Sequence, residues 1–494
     1  PTPGKYSHSA GTEVCITAMT ASGNSFLYWS GDVPAGHEND NPLYITMDSN
    51  KTITPHFSFP GKMWTFMVYL DGDNSLETSS IDDFLEMAMV GSDANVNIVV
   101  QFDRIKDNDT RYGSWTSTKR FYVTTGLAPT AENAFEDLGE VNTGDTQTLA
   151  NFIYWAKASF SADNYALILW NGGAAWRYPC LDSTSEDELT MEEVQSAISS
   201  SGGAQLIGFD AALMGMVEVA FEIKNYGEVM VGSEENEPLA GWPYTPILQD
   251  LKNNPGWSTT ELGTAIVNRY YESYYNISTG STQTLSAIDL KNLNAIASTI
   301  GSFAQIVIDS WSTDPTAVKN AAQALMTEIE NTVIHERHDS SKLKAHGLAI
   351  YFPEVVDEFD SDYTVTQLDF PANTQWDEFL QEFYNSMARS WIAQRRAASQ
   401  CFFYPQNVDL YNFCEMLNIA QEGYYTESLI PHEYVGGGTA QNFREDDHIL
   451  FYVLPFDFPF FGEIIPAGRT LYICSNGWVD FTYDWKDPSE NDYT

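Results

Sequence analysis

The middle of the chain alternates short apolar runs with longer amphipathic stretches. The runs with a strand-like pattern are TFMVYL, NIVVQF, YALILW, QLIGF, EVMVGS and GLAIYF. Between them, the spacing of apolar residues predicts helices at Leu76 to Met89, Thr146 to Phe160, Met191 to Ser199 and Trp376 to Met387. Thr190 precedes two acidic residues, Glu192 and Glu193, which predicts that it caps the third helix. This alternation is typical of an α/β fold with a mostly parallel sheet and helices on both faces.

The two ends of the chain have a different, all-β pattern. From Gly11 to Phe57, short alternating runs are separated by turn signals, and β-like runs return after about Trp391. We therefore predict a small β-repeat domain at 1–60, an α/β domain at 61–390 and a β-sandwich-like domain at 391–494. Both ends of the sequence are expected to be cuts within a longer protein, so the last domain is expected to be truncated.

The charge balance narrows the classes of partner. The 494 residues include 24 Lys and Arg against 68 Asp and Glu, a formal net charge of −44. Nucleic acid is excluded as an expected partner because no basic stripe exists to neutralise phosphates. The acidity indicates either a solvated surface suited to salty water or carboxylates that hold hard cations such as calcium. No apolar run approaches the roughly 20 residues that a membrane span needs.

Small and polar residues follow three of the predicted strands. These segments are Asp71-Gly72-Asp73-Asn74, the run from Asn171 to Arg177, and the run from Asp210 to Gly215. In open α/β sheets, functional groups collect at the carboxyl ends of the strands. The sequence therefore predicts that any functional site lies at this edge of the sheet.

Eight ordered segments carry a specific resemblance. WTFMVYLDGDNSLE, NIVVQFDR, GEVNTGDTQTL, YALILWNGGAAWR, LTMEEV, IGFDAALMGMVEVAFEI, GSEENEPLAGWPY and AHGLAIYFP resemble, in order, the motifs of clostripain-like cysteine peptidases. The resemblance runs from roughly Met63 to Tyr384 and implies a caspase- or gingipain-like α/β fold. Near the N-terminus, the segments beginning at Trp29 and Met47 resemble the internalin B-repeat of bacterial surface proteins, which implies a secreted protein.

The resemblance also locates the two catalytic positions of the family. Its members have a His after the strand that matches YALILW and a Cys after the strand that matches QLIGF. In this sequence those positions hold Gly172 and Ala212. Glycine has no titratable side chain and alanine has no nucleophile, so we expect no peptidase activity. We interpret both as natural replacements, because a laboratory Cys-to-Ala change would explain Ala212 but not Gly172.

Other acidic residues near these strands have two interpretations each. The resemblance implies that Asp210 lines a pocket for a basic side chain, and the alternative is that it caps its loop. Asp71 and Asp73 are the candidate calcium ligands, although we favour a role in capping the following helix. A further run of carboxylates, Glu234, Glu235 and Glu237, is interpreted as a solvated loop. No cofactor is certain, and calcium is the one candidate.

The expected function is that of an inactive pseudopeptidase domain, retained as a structural or interaction module of a larger extracellular or cell-surface protein. One alternative is an active endopeptidase specific for Arg or Lys, with Cys180 as nucleophile and a distant His such as His335, His338 or His346. Another is a surface adhesin or filament subunit that associates with itself. In the first and third interpretations, the partners are proteins or other copies of the chain, bound through acidic surfaces.

Overall fold

The computed structural model describes most of the chain up to Cys414 and five short strands beyond it. The described residues are 6–19, 25–58, 62–106, 108–275, 283–310, 313–340, 342, 345–353, 359–363, 368–384, 402–404, 407–411, 413–414, 449–453, 458–460, 463–465, 470–474 and 479–480. The chain divides into two compact units, Pro1–Asn418 and Ile419–Thr494. The predicted boundaries at residues 60 and 390 stay predictions.

The N-terminal segment forms two small antiparallel sheets. Its strands are β1 (Glu13–Ile16), β2 (Ser25–Gly31), β3 (Leu43–Thr46) and β4 (Ile53–Ser58). Strand β1 pairs with β3, and β2 pairs with β4. Alternate residues of β3 are buried, and Leu43 and Ile45 pack with Trp29 in a separate small core. The predicted all-β character of this segment is confirmed.

A nine-stranded mixed sheet forms the centre of the first unit. Its strands are β5 (Lys62–Gly72), β6 (Val96–Arg104), β7 (Thr118–Tyr122), β8 (Glu136–Gly139), β9 (Ala162–Trp170), β12 (Leu206–Asp210), β13 (Val229–Gly232), β14 (Thr284–Asp289) and β15 (Val333–His338). Two further strands, β10 (Cys180–Asp182) and β11 (Asp187–Leu189), form a hairpin outside this sheet. The order is β15-β14-β13-β12-β9-β5-β6-β7-β8. The five central strands are parallel, and two antiparallel strands extend each edge.

Helices cover both faces of this sheet. They are α1 (Glu77–Val90), α2 (Thr146–Ser159), α3 (Met191–Ser201), α4 (Val217–Ile223), α5 (Tyr244–Asn253), α6 (Thr259–Tyr274), α7 (Leu293–Ser310), α8 (Pro315–Thr332), α9 (Asp369–Thr374) and α10 (Trp376–Glu382). Thr190 caps α3 in a reciprocal arrangement with Glu193, as predicted. Within the described residues, none of the helices combines the length and the apolar character that crossing a bilayer requires.

Two separate cores result, because successive residues of a strand point to opposite faces. Met67 and Tyr69 of β5 lie in the core that contains α2, α3, α4 and α7. Their neighbours Phe66 and Val68 lie in the core that contains α1, α5 and α6. The predicted α/β fold class is confirmed, with a parallel centre and antiparallel edges.

One predicted strand is misplaced. The run GLAIYF contains a strand, β16 (Ala349–Tyr351), but this strand is not part of the nine-stranded sheet. It pairs instead with β18 (Asn407–Asp409), which also pairs with β17 (Phe402–Tyr404). All three residues of β16 are buried, which explains the apolar run. The predicted end of the last helix, at Met387, lies outside the described residues.

The second unit, Ile419–Thr494, contains short antiparallel strands. They are β19 (Ile449–Val453), β20 (Phe458–Phe460), β21 (Glu463–Ile465), β22 (Thr470–Cys474) and β23 (Val479–Asp480). Strands β19, β22 and β23 form one sheet, and β20 and β21 form another. The described part of this unit is therefore β-structured, in agreement with the sequence pattern.

Candidate functional site

The carboxyl ends of β9 and β12 bring Gly172 and Ala212 together. The two strands are parallel neighbours, with Trp170 opposite Asp210. Beyond the strands, the backbone contact continues, because the amide of Ala212 donates a hydrogen bond to the carbonyl oxygen of Gly172 at 3.2 Å. Gly172 is exposed and Ala212 is partly exposed. The two positions that the sequence singled out therefore lie side by side at the surface.

The surroundings of Gly172 leave room for a side chain. A Cβ atom at this position would have only the Cδ1 atom of Leu76 within 4 Å, at 3.8 Å. The next residue is different: Gly173 has a φ of +71°, and a Cβ atom there would lie 2.2 Å from the carbonyl oxygen of Ala212. The close approach of the Ala212 backbone therefore requires glycine at position 173, whereas position 172 has no such restriction.

Three carboxyl groups converge beside this edge, on the face of the sheet covered by α1, α5 and α6. We call Asp83, Asp210 and Glu237 the acidic pocket. Asp210 accepts hydrogen bonds from the amide of Trp242 at 3.1 Å and from the hydroxyl of Tyr244 at 2.8 Å. Asp83 accepts a hydrogen bond from the indole of Trp170 at 2.7 Å. Asp210 therefore holds the loop that contains Trp242.

The carboxylates of Asp83 and Asp210 both lie close to the backbone of Gly241. An added Cβ atom would lie 2.9 Å from Oδ1 of Asp210 and 3.2 Å from Oδ2 of Asp83. Glu237 faces Asp210, and neither of its oxygens receives a hydrogen bond of normal geometry within the described structure. The pocket thus presents several carboxylate oxygens to one small volume.

Burial favours the protonated forms of the three carboxyl groups in the acidic pocket. It raises the pKa of Asp210 to about 6 and raises the pKa values of Asp83 and Glu237 well above their usual range. Mutual repulsion adds to the shift, since ionising Asp210 disfavours the charged forms of both neighbours. A positive group entering the pocket would favour the ionised carboxylates and gain charge-assisted hydrogen bonds.

The structure separates the roles of Asp71 and Asp73. Asp71 is buried, and its carboxylate accepts hydrogen bonds from Thr143 at 3.1 Å and from Asn171 at 2.5 Å. Asp73 lies in a group of four carboxylates with Asp103, Glu140 and Asp182. The prediction that these aspartates cap α1 is wrong, because Asn74 instead accepts the hydrogen bond from the amide of Leu76. Leu76 occupies the N-cap position of α1, and its side chain makes no capping hydrogen bond.

Sequence reasoning missed three members of that group. Asp103 lies near the end of β6, Glu140 follows β8 and Asp182 ends β10, so no local spacing joins them to Asp73. Burial raises the pKa values of Asp73 and Asp103, and that of Glu140 to about 7. The neighbouring charges that add to these shifts are other carboxylates. An all-oxygen group of this kind has the chemistry of a hard-cation site.

The alternative nucleophile, Cys180, is buried in the core. Its side chain is fully inaccessible, and burial raises the pKa of its thiol well above the usual range. The thiol lies 4.0 Å from the carbonyl oxygen of Trp170. A reactive cysteine needs access and a stabilised thiolate, and Cys180 has neither.

The three histidines that were considered with Cys180 lie elsewhere. His335 and His338 are in β15, at the edge of the sheet, and contact Asn268 and Glu336 respectively. His346 contacts Asp409 at 3.1 Å and stacks on Tyr411. These contacts are those of structural or surface residues.

The predicted solvated loop at Glu234, Glu235 and Glu237 is wrong. Glu234 and Glu235 are buried, and Glu237 is half-buried. Glu234 accepts a hydrogen bond from the amide of Gly347 at 2.9 Å, and Glu235 forms an ion pair with Lys342 at 2.7 Å. These contacts compensate the burial of the carboxylates, which a sequence pattern alone does not reveal.

Comparison with known proteins gives two family matches. A model described as the Clostripain family matches residues 68–344, and a model described as the divergent InlB B-repeat domain matches residues 2–59. Among curated proteins, the chain is 25% identical over 456 residues to clostripain from Hathewaya histolytica. That alignment covers 81% of this chain and 83% of the relative.

Comparison with solved structures gives information about the fold. A secreted C11 cysteine protease from Bacteroides thetaiotaomicron, in complex with an irreversible peptide inhibitor, superposes with a TM-score of 0.51 at 19% identity. The match covers 64% of this chain and 100% of that chain. An inactive zymogen C11 protease from Parabacteroides distasonis gives a TM-score of 0.46 at 19% identity over 65% of this chain and 97% of its own. The first likeness shows the caspase-like fold of C11 proteases.

Proposed function

The chain belongs to the Clostripain family, and from that premise we propose that its α/β domain is catalytically inactive and binds basic side chains of other proteins without cleaving them. The observation that carries this proposal is the pairing of Gly172 with Ala212 at the carboxyl edge of the sheet. These residues occupy the positions of the family's His and Cys, so the site lacks both a proton carrier and a nucleophile. Removal of a nucleophile alone abolishes most of the rate of such enzymes.

The acidic pocket supports a binding role. Peptidase chemistry needs the two absent side chains, but recognition of a basic group needs only the carboxylates beside them. Asp83, Asp210 and Glu237 converge on one volume, and Arg is well suited to planar, bidentate contacts with carboxylates. A charged partner would also favour the ionised forms of these groups, whose pKa values are raised mainly by burial.

An extracellular location is part of the proposal. A surface-repeat family model matches residues 2–59, and the structurally similar protease from Bacteroides thetaiotaomicron is described as secreted. The net charge of −44 gives the surface a long-range attraction for basic proteins. We propose that the domain acts as an interaction module of a larger secreted or cell-surface protein.

The test combines turnover and binding on the purified full chain. A fluorogenic peptide that ends in Arg measures turnover, and a fluorescently labelled Arg peptide measures affinity by anisotropy. The matched control peptide carries citrulline, which keeps the shape of Arg without its charge. We expect no turnover, and we expect binding of the Arg peptide that Asp210→Asn and the citrulline peptide both weaken by about tenfold or more.

Each result separates the proposal from its alternatives. Turnover that a thiol-blocking reagent stops would establish an active cysteine peptidase and contradict the proposal. Absence of binding, or equal binding of the Arg and citrulline peptides, would remove the recognition role. Concentration-dependent self-association with no affinity for Arg peptides would favour the adhesin interpretation instead.

A further inference from the structure

The acidic pocket is shielded from solvent by the loop that precedes α5. Asp83 and Asp210 are each 3% exposed, and both carboxyl oxygens of Glu237 are buried. The loop is held over them at two points. The amide of Trp242 donates to Asp210, and the hydroxyl of Tyr274 in α6 donates to a backbone carbonyl of the same loop at 2.6 Å. Little water is therefore in contact with these carboxyl groups.

The pocket has fewer hydrogen-bond donors than its oxygen atoms require. Asp210 receives hydrogen bonds from the backbone and from the hydroxyl of Tyr244, and Asp83 receives one from the indole of Trp170. Both oxygens of Glu237 receive no hydrogen bond of normal geometry within the described residues. Glu237 instead contacts Asp210, carboxyl to carboxyl. Two carboxyl groups in such contact, away from water, do not both ionise, so we infer that one proton lies between them.

The neighbouring charges that act most strongly on these three groups are other carboxylates. Besides Asp210 and Glu237, the titratable groups around the pocket are carboxyls of α1 and hydroxyls of α5 and α6, namely Asp82, Asp83, Glu86, Tyr244, Tyr270 and Tyr274. Burial raises the pKa values of the three tyrosines, so their hydroxyls stay neutral. Among these described groups, only carboxyls gain or lose a proton between about pH 5 and pH 8.

From these contacts we propose that the acidic pocket exchanges the proton between Asp210 and Glu237 for the cationic side chain of its ligand, so that acid weakens binding. This exchange presupposes the proposed function, because the ligand is the basic side chain that the domain is proposed to bind. A guanidinium keeps its own proton, and one carboxyl of the pocket releases its proton to the solvent. The oxygens of Glu237 then accept charge-assisted hydrogen bonds from the ligand.

Affinity for a cationic ligand should fall as the pH falls. Burial raises the pKa of Asp210 to about 6 and holds the pKa values of Asp83 and Glu237 well above their usual range, so the pocket is protonated in mild acid before a cation binds. The ligand displaces a proton, and this displacement becomes easier as the pH rises. Release of one proton makes the affinity change by about tenfold per pH unit in the range where the pocket is protonated.

The experiment measures both affinity and proton release on the full chain. The labelled Arg peptide is titrated between about pH 5 and pH 8, and calorimetry in two buffers of different ionisation enthalpy counts the protons released. We expect about tenfold tighter binding at pH 7 than at pH 6, with about one proton released per peptide bound. Glu237→Gln cannot ionise, so it should lose most of this release and of the pH dependence. The matched control is Glu192→Gln, an exposed change on the other face of the sheet, which should behave as the parent.

Melting curves without peptide test the shared proton separately from the ligand. In mild acid, Glu237→Gln replaces a carboxyl that is already neutral, so the variant should melt close to the parent there and lose less stability as the pH rises to about 8.

The outcomes separate this proton exchange from the proposed function. Equal proton release by parent and Glu237→Gln, or an affinity of the parent that does not change with pH, would overturn the exchange and leave the recognition of basic side chains in place. Parallel melting curves of the two chains across this range would overturn the shared proton. Absence of Arg-peptide binding at every pH would remove the exchange together with the proposed function.

Discussion

The amide of Ala212 donates a hydrogen bond to the carbonyl oxygen of Gly172, across the gap between two parallel strand ends. This contact joins the backbones of the two positions that the resemblance to the Clostripain family assigns to its Cys and His. It involves no side-chain atom, so it survives replacement of either residue. Under the proposed function, inactivity therefore follows from the two missing side chains and not from a different backbone.

Restoring both side chains should restore turnover. The double variant Gly172→His, Ala212→Cys places a base and a thiol on adjacent turns, and the space around Gly172 accepts a larger residue. We expect hydrolysis of a fluorogenic Arg peptide to exceed the parent background by on the order of 100-fold or more. The thiol and imidazole must act together, so each single variant should stay near the background.

A silent double variant that still binds the Arg peptide would show that the strand ends are no longer in a catalytic arrangement. That result would contradict the view that two side chains alone account for inactivity. Circular dichroism and melting curves on the same preparation distinguish this outcome from misfolding.

The neighbouring glycines should respond very differently to alanine. Gly173 has a φ of +71°, and a Cβ atom would lie 2.2 Å from the carbonyl oxygen of Ala212. Gly173→Ala should therefore lower the free energy of unfolding by about 2–4 kcal/mol. Gly172→Ala is the matched control, because its Cβ atom meets no close contact, and it should change this free energy by about 0.5 kcal/mol or less. Similar losses in both variants, measured by denaturant titration, would contradict the proposed difference in backbone constraint.

The sequence pattern predicted the central strands of the nine-stranded sheet but not the strands at its two edges. TFMVYL is apolar throughout because β5 is buried on both faces, and such a run identifies a central strand. The edge strand β15 contains VIHERH, whose charged residues hide the strand pattern. GLAIYF is apolar because its residues are buried, and an apolar run does not tell which sheet a strand joins.

The site shows the same limit. Gly172 and Ala212 were located through the resemblance to the family's motifs, and their proximity was expected because parallel neighbours end at the same edge. Glu237 reaches Asp210, and Glu140 reaches Asp73, only through the three-dimensional path of the chain. Neither contact has a fixed sequence spacing, so periodicity and motifs carried no signal for them.

The buried ion pair of Arg104 with Glu77 should be essential for stability. The side chains are 0% and 1% exposed, and Nε of Arg104 lies 2.7 Å from Oε1 of Glu77. Glu77→Gln would leave the guanidinium charge buried without its partner, so we expect a loss of about 3–5 kcal/mol in the free energy of unfolding. Denaturant titration of the purified variant measures this loss.

The exposed pair of Arg111 with Asp82 provides the control. Its side chains are 39% and 56% exposed, so solvent screens their attraction. Asp82→Asn should therefore leave the denaturation midpoint almost unchanged. Equal effects of the two substitutions would mean that burial does not determine the strength of these pairs.

The pH dependence of stability should be shifted by one buried carboxyl, that of Glu218. Burial raises its pKa from 4.5 to about 7, and its Oε1 atom accepts hydrogen bonds from the amide of Tyr351 and the hydroxyl of Tyr363. Between these two pH values the native state keeps a proton that the unfolded chain releases. Raising the pH through this window therefore lowers the free energy of unfolding, by at most about 3–4 kcal/mol for this group.

Replacement of Glu218 by Gln isolates this contribution. Glu218→Gln cannot ionise, so its free energy of unfolding should fall less than that of the parent between about pH 4.5 and pH 7, and the variant should be relatively more stable above that window. Glu192→Gln, an exposed change in the first turn of α3, should follow the parent curve. Parallel curves for the parent and Glu218→Gln, in denaturant titrations across this range, would show that Glu218 ionises in the folded chain as it does in the unfolded chain. The prediction that burial raises the pKa of Glu218 would then be wrong.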